Sequence, residues 1–319
     1  MKPSHACAAL FAALCTATAL SAQFPATVVT TNKVGDLDVE YRWNYTVDTE
    51  TQTASFDSVT PHPFGAITLA DVVSDGTRIY AVKKIAPLAL ADARALTSVT
   101  IPSTFEEIGA CAFSNCTSLA DVSIPEGVRY IGARAFVNTA ITQIALPDTL
   151  LDMGGNVAAG TLYTTTFSIG DSSHFAFSED GVLYNRDMTK LYACPTRAEG
   201  TITIPDTTTH ICQDAFFGCF RLVYLNLPEN VGVIGPGAFN VSGIWPGLSA
   251  SESTPKLNAV FYNGDRPDAA DDIYDGAPTD LTSYAFTDDW SSLVSWKGRA
   301  VRPIDNTNPP VLAYKDPTG

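Results

Sequence analysis

The stretch that decides the fold runs Ile108-Gly109-Ala110-Cys111-Ala112-Phe113-Ser114-Asn115-Cys116-Thr117-Ser118-Leu119-Ala120-Asp121-Val122-Ser123-Ile124-Pro125. Its end, Val122-x-Ile124, has the period of two that turns both side chains to one face of a short half-buried strand, and Pro125 ends that strand. The phrase recurs in phase. Upstream it reads Ile85, Ala89, Leu90, Ala93, Leu96, Val99, Ile101, Pro102, and downstream Ile131, Gly132, Ala135, Phe136, Ile141, Ile144, Leu146, Pro147. After an interruption it returns as Ile211, Ala215, Phe216, Cys219, Leu222, Leu225, Leu227, Pro228, and then as Ile234, Gly235, Ala238, Phe239. Phe113 to Phe136 and Phe216 to Phe239 each span 23 residues. A degenerate copy between them has Met153-Gly154 in the Ile-Gly position and Phe167-Ser168-Ile169-Gly170 in the strand.

A short strand repeated at this interval must stack in parallel on its neighbours, with the rest of each copy as the return path. The Ala-Phe pair belongs to that return. Its phenylalanine fills the interior, where one buried side chain contributes ~1.5–3 kcal/mol of transfer energy. Cys116 and Cys219 share a phase held elsewhere by Ala93 and Thr139, so the position asks for a small buried group rather than a reactive thiol.

These residues resemble the BspA-type leucine-rich-repeat family, whose consensus is similar to L-x-x-V-x-I-P followed by I-G-x-x-A-F-x-x-C-x-x-L. The resemblance covers residues 65–262. Gly65-Ala66-Ile67-Thr68-Leu69 and Gly200-Thr201-Ile202-Thr203-Ile204-Pro205 resemble the entry strands of that family. The segment 171–199, with an Asp180-Gly181 turn signal, resembles its inserted hairpin. The implied fold is a β-rich repeat solenoid, a leucine-rich-repeat superhelix with a parallel sheet on one face.

A solenoid exposes apolar ends unless they are capped. Val39-Tyr41-Trp43-Tyr45-Val47 and then Ala54-Phe56 alternate around a polar Asp48 to Gln52, which predicts a β-hairpin as the N-terminal cap. Leu257 to Tyr262 reads as a last strand in register, and Tyr284, Trp290 and Trp296 resemble an aromatic C-terminal cap. The expected domains are therefore a signal peptide at 1–22, a cap at 23–75, repeats at 76–262, and a cap with a loose tail at 263–319.

Residues 1–22 carry Lys2, an apolar run from Ala6 to Leu20 and no acidic group before Asp36, the pattern of a secretory signal peptide. Cleavage fits after Ala22 or after Ser21, and no later stretch reads as a transmembrane segment or wall anchor. The expected location is extracellular or at the cell surface. Of seven cysteines, Cys7 and Cys15 leave with the leader, and the remaining five are an odd, sparse set. Disulfides are then not the framework, although Cys111–Cys116 and Cys212–Cys219 pairs stay open.

With 19 Lys+Arg against 34 Asp+Glu, the net charge is 19 − 34 = −15. So acidic a chain, without a basic patch, excludes nucleic acid as a partner class. Other candidate chemistry is weak. Gly170-Asp171-Ser172 lacks the α/β context and the D-x-x-H of a serine esterase, and His62, His174 and His210 have no metal-ligand spacing. The acidic run Asp265, Asp268, Asp271, Asp272, Asp275 lacks the order of a calcium loop. No catalytic residue, cofactor or metal is expected.

The outer face of the repeat sheet remains. The residues flanking the buried valine position form two columns. The first is Ala66, Ser98, Asp121, Gln143, Thr166, Thr201, Tyr224, Ala259, and the second Thr68, Thr100, Ser123, Ala145, Ser168, Thr203, Asn226, Phe261. Glu126, Asp148, Asp206 and Glu229 follow the strand prolines as a partial acidic row. Tyr224 and Phe261 are large rings on a face of small residues, and such rings are favoured binding anchors. The expected ligand surface is therefore Asp121, Gln143, Tyr224, Asn226, Phe261, Asp206 and Glu229. Its expected partner is a protein or glycan outside the cell, with adhesion implied by the resemblance. A structural scaffold with no ligand on the sheet is the competing reading.

Overall fold

A computed structural model describes residues 23–34, 37–158, 166–171, 173–196, 198–242 and 254–304. The signal peptide expected at 1–22 and the tail from 305 lie outside the described residues. The chain forms two units, Met1–Ala176 and Phe177–Gly319.

In the first unit the Val-x-Ile segments are front strands. Gly65–Thr68, Leu96–Thr100 and Asp121–Ser123 pair in parallel, as do Gln143–Leu146 and Thr166–Ile169. A second ladder was not anticipated. The residues at the Ile-Gly position form strands of their own, Glu107–Ile108, Tyr130–Ile131 and Asp152–Met153, stacked in parallel after Ile79–Ile85. Each coil is thus a front strand, a turn, a return strand and the Ala-Phe turn. Two-residue strands carry no readable alternation, so only their isoleucines were visible.

The return strands bring the coils close together. A Cβ added to Gly132 would lie 2.2 Å from the backbone N of Ala110, and one on Gly154 2.2 Å from that of Ala133. The repeated glycine is therefore a spacing requirement between coils. Gly132→Ala is expected to cost ~1–3 kcal/mol by forcing two coils apart, read as a lower urea midpoint with an unchanged slope.

The Ala-Phe turn needs two left-handed residues, two before and two after the phenylalanine. Cys111, Arg134 and Asp214 fill the first site, and Asn115, Asn138 and Gly218 the second. Asn and Gly tolerate this conformation best, which accounts for the second set. The Asn138 Nδ2 donates to the Asn115 Oδ1 at 2.9 Å, so the turns are also laced to each other. Inside, Phe113 and Phe136 are fully buried and stack at 5.2 Å with planes 7° apart.

The expected hairpin cap is present. Leu37–Asp48 and Thr53–Thr60 pair antiparallel around the Asp48 turn, and Gln23–Val34 adds a further antiparallel strand. Tyr41, Tyr45 and Phe56 are buried, with Tyr45 5.6 Å from Phe56. Thr53–Thr60 pairs in parallel with Ile79–Ile85, which joins the cap to the return ladder.

In the second unit Gly200–Thr203, Leu222–Leu227, Ala259–Tyr262, Thr282–Ala285 and Arg299–Pro303 form a parallel front sheet, closed by Ser295–Trp296. The return ladder is Lys190–Ala193, His210–Ile211, Val233–Ile234 and Asp268–Ala269. Two features go beyond the expectations. The segment 171–199 does contain a hairpin, Leu183–Asn185 with Lys190–Ala193, but its second strand belongs to the return ladder. The sheet also continues past Tyr262, where the repeats were expected to stop. Tyr274 stands 5.4 Å from Phe239 in the place of the next core phenylalanine. The Phe239 N–H donates to the Ile273 carbonyl just as the Phe216 N–H does to Ala238.

Among the described residues no cysteine is in a disulfide, so neither Cys111–Cys116 nor Cys212–Cys219 is bonded. The buried Cys116 thiol donates to the Leu90 carbonyl at 3.1 Å, and burial pushes it up to about 12. Among the described residues, no helix is long and apolar enough to cross a membrane.

Candidate functional site

The front strands carry the two outer columns in the register read from the sequence. In the first unit Ser98 pairs with Asp121, Thr100 with Ser123 and Gln143 with Thr166. In the second unit one column is Thr201, Tyr224, Ala259, Thr282, Ala300 and the other Thr203, Asn226, Phe261, Tyr284, Arg302. The strands bearing Tyr224 and Phe261 are hydrogen-bonded neighbours.

The seven expected contact residues divide between the two units. Asp121 and Gln143 are exposed in the first unit, whereas Tyr224, Asn226, Phe261, Asp206 and Glu229 belong to the second. Phe261 also differs from expectation. It is 4% exposed, buried with Ala259 and Ile304 and flanked by Tyr224, Tyr284 and Phe286. The cause is the later segment, where the Ile304 N–H donates to the Ala285 carbonyl at 2.7 Å and carries the chain past the last strands. Phe261 is therefore the floor of an aromatic group rather than a free anchor.

That group has a defined geometry. The Tyr224 ring sits 6.2 Å from Phe261 and tilted by 57°, and Tyr284 stacks on the other side at 5.1 Å and 13°. Tyr224 and Tyr284 are half-buried, so each keeps an accessible part. The Asn226 Nδ2 donates to the Thr203 Oγ1 at 3.1 Å, which fixes the amide beside the rings. Arg302 is exposed at the far end of the column. Rings held by a buried floor, an oriented amide, hydroxyls and a guanidinium can grip a partner by stacking and hydrogen bonding.

The sequence reading placed Tyr284 in the closing cap rather than on the outer face of the sheet, and Arg302 escaped it. The core rings Phe239 and Tyr274 are 35 residues apart instead of 23, and Thr282-Ser283-Tyr284-Ala285 has no Val-x-Ile-Pro. The signal available was Ile273-Tyr274 in place of Ala-Phe.

The acidic row has partly structural duties. Glu126 accepts the backbone N–H groups of Asp148 and Thr149 at 3.3 Å each, tying one turn to the next. Asp206 and Glu229 are exposed, and the Asp206 carbonyl accepts the Asn230 amide at 2.9 Å. In the run from Asp265 to Asp275, Asp271 pairs with Lys297 at 2.7 Å, and that ammonium lowers the carboxyl's pKa. No group of three metal-ligating side chains occurs among the described residues. His62, His174 and His210 are exposed, and Ser172 lies outside the described residues.

A family model, the BspA type leucine-rich repeat region, matches residues 83–196 and 192–263 in six copies. No curated protein matches. Among solved structures, a leucine-rich repeat protein from Eubacterium ventriosum is similar in fold, with 15% identity and a TM-score of 0.51 over 77% of this chain and 70% of that one. The pneumococcal vaccine antigen PcpA aligns at 14% identity over 86% and 99% of the two chains, with a TM-score of 0.44. A leucine-rich cell surface protein from Faecalibacterium prausnitzii aligns at 22% identity over 86% and 94%, with a TM-score of 0.38.

Proposed function

The chain belongs to the BspA-type leucine-rich-repeat family, and from that premise we propose that it is a non-enzymatic binding protein acting outside the cell or on its surface. Its partner is a protein or glycan, held on the front sheet of the second unit, with adhesion as the biological role. The leader-like sequence at residues 1–22 supports the location, and the net charge of −15 argues against nucleic acid as the partner.

One observation carries the reading. The outer face of most front strands is made of small polar residues, whereas the last strands present Tyr224 and Tyr284 on either side of the buried Phe261, followed by Arg302. Sheet surfaces without a partner do not need rings pinned in this way. Aromatic and arginine side chains at the centre of a contact supply most of its energy, while exposed carboxylates such as Asp206 and Glu229 act on rate and salt dependence. The burial of Phe261 favours a second reading, in which the aromatic group only closes the sheet and the protein is a scaffold.

The two readings separate in a capture experiment with the mature chain on secreted and cell-surface material. Tyr224→Ala is expected to weaken capture by ~2 kcal/mol or more, about thirtyfold, while Ser98→Ala in the first unit leaves it unchanged. Equal capture by both variants would support the scaffold. The Tyr224 and Phe261 double variant is unsuited to this test, because removing the buried Phe261 also unsettles the sheet.

A further inference from the structure

The phase that follows each core phenylalanine by three residues holds Cys116 in one unit and Cys219 in the other. The Cys116 thiol donates to a carbonyl one coil back, that of Leu90. For Cys219 the preceding coil is the exit of the hairpin that ends in Lys190–Ala193, and the carbonyls it meets are those of Cys194 at 3.7 Å and Pro195 at 3.6 Å. This brings a second thiol to the same spot. The Cys194 Sγ lies 3.8 Å from the Pro195 oxygen, so both sulfurs converge on one carbonyl. Cys194 is fixed there by its N–H, which donates to the Ala215 carbonyl at 2.7 Å. Both residues are buried, at 3% and 0% exposure.

We propose that Cys194 and Cys219 are a disulfide-forming pair that staples the hairpin of the second unit to its first Ala-Phe coil when the chain folds in an oxidising compartment. The oxidant is a disulfide-bonded thiol compound such as glutathione disulfide. The protein pair gives up two electrons and two protons as its S–S bond forms, and the S–S bond of the oxidant breaks to yield two thiols. Burial raises the Cys194 thiol well above its ordinary range, so it supplies little thiolate once the chain is folded. The bond therefore forms during folding, and the folded reduced protein resists oxidation. Closing the loop between 194 and 219 restricts the unfolded chain and raises stability.

The test is refolding of the mature chain, which lacks Cys7 and Cys15, in a glutathione redox buffer and, separately, in dithiothreitol. Expected from the redox buffer is a product lighter by two hydrogens, with Cys111, Cys116 and Cys212 alkylatable after denaturation. Non-reducing digestion with trypsin and chymotrypsin, cutting after Arg197 and Phe217, should give a linked pair carrying Cys194 and Cys219. This product should also melt at a higher temperature than the dithiothreitol product, and Cys194→Ala should remove that difference. Five alkylatable thiols after oxidative refolding, or a linked pair involving another cysteine, would overturn the proposal.

Discussion

Phe136→Ala is expected to destabilise the protein by ~3–5 kcal/mol, whereas Thr100→Ala should cost under ~0.5 kcal/mol. Phe136 is fully buried, and its ring lies nearly parallel to that of Phe113 one coil away. Truncation removes the transfer energy of the ring and leaves a cavity between coils held at fixed spacing by their paired return strands, so collapse is limited. Thr100 points outward on the front sheet and is exposed, so its loss removes only a local strand preference. Chemical unfolding followed by far-ultraviolet circular dichroism measures both. Equal and small losses would mean that the repeat register is misassigned.

Trp290→Ala is expected to cost a comparable ~3–5 kcal/mol, concentrated in the second unit. Trp290 has no exposed surface, packs 4.8 Å from Tyr262 and 4.9 Å from Trp296, and donates its indole N–H to the Gly264 carbonyl at 3.1 Å. It closes the end of the second core, where Tyr262 and Tyr274 already share a buried hydroxyl hydrogen bond. In a repeat protein each coil is supported by its neighbours, so an unsealed end loosens the adjoining coil first. Two separate unfolding transitions are the expected sign. Trp290→Phe keeps an aromatic ring but leaves the Gly264 carbonyl with only the Thr287 hydroxyl at 3.5 Å, which should cost ~1–3 kcal/mol. A single unshifted transition for Trp290→Ala would show that the closing segment does not cap the core.

The front ladder was legible because its signal is redundant. Val99, Val122, Ile144 and Leu225 each sit between outward residues and ahead of a proline, and the paired registers agree with that phase at every strand they share. The hairpin cap was legible from the alternation of Tyr41, Trp43 and Tyr45. The return ladder was not, since two residues carry no period and the determining feature is the missing Cβ at Gly132 and Gly154. The coil beyond Tyr262 was hidden by the substitution of Ile273-Tyr274 for Ala-Phe and by the longer spacing from Phe239. For the candidate site, alternation placed Tyr224, Asn226 and Phe261 on the outer face. It could not show that Ile304 and Phe286 shelter Phe261, because those contacts come from residues 43 and 25 positions later in the chain.

Hydroxyl-radical footprinting of the mature chain, alone and in complex with the captured partner, bears most directly on recognition at the second front sheet, since it reads solvent access ring by ring. Tyr224 and Tyr284 should lose reactivity in the complex, while the exposed Tyr130 and Phe64 of the first unit should react as before. Unchanged labelling of Tyr224 and Tyr284, with protection appearing at Tyr130 or Phe64, would contradict the account.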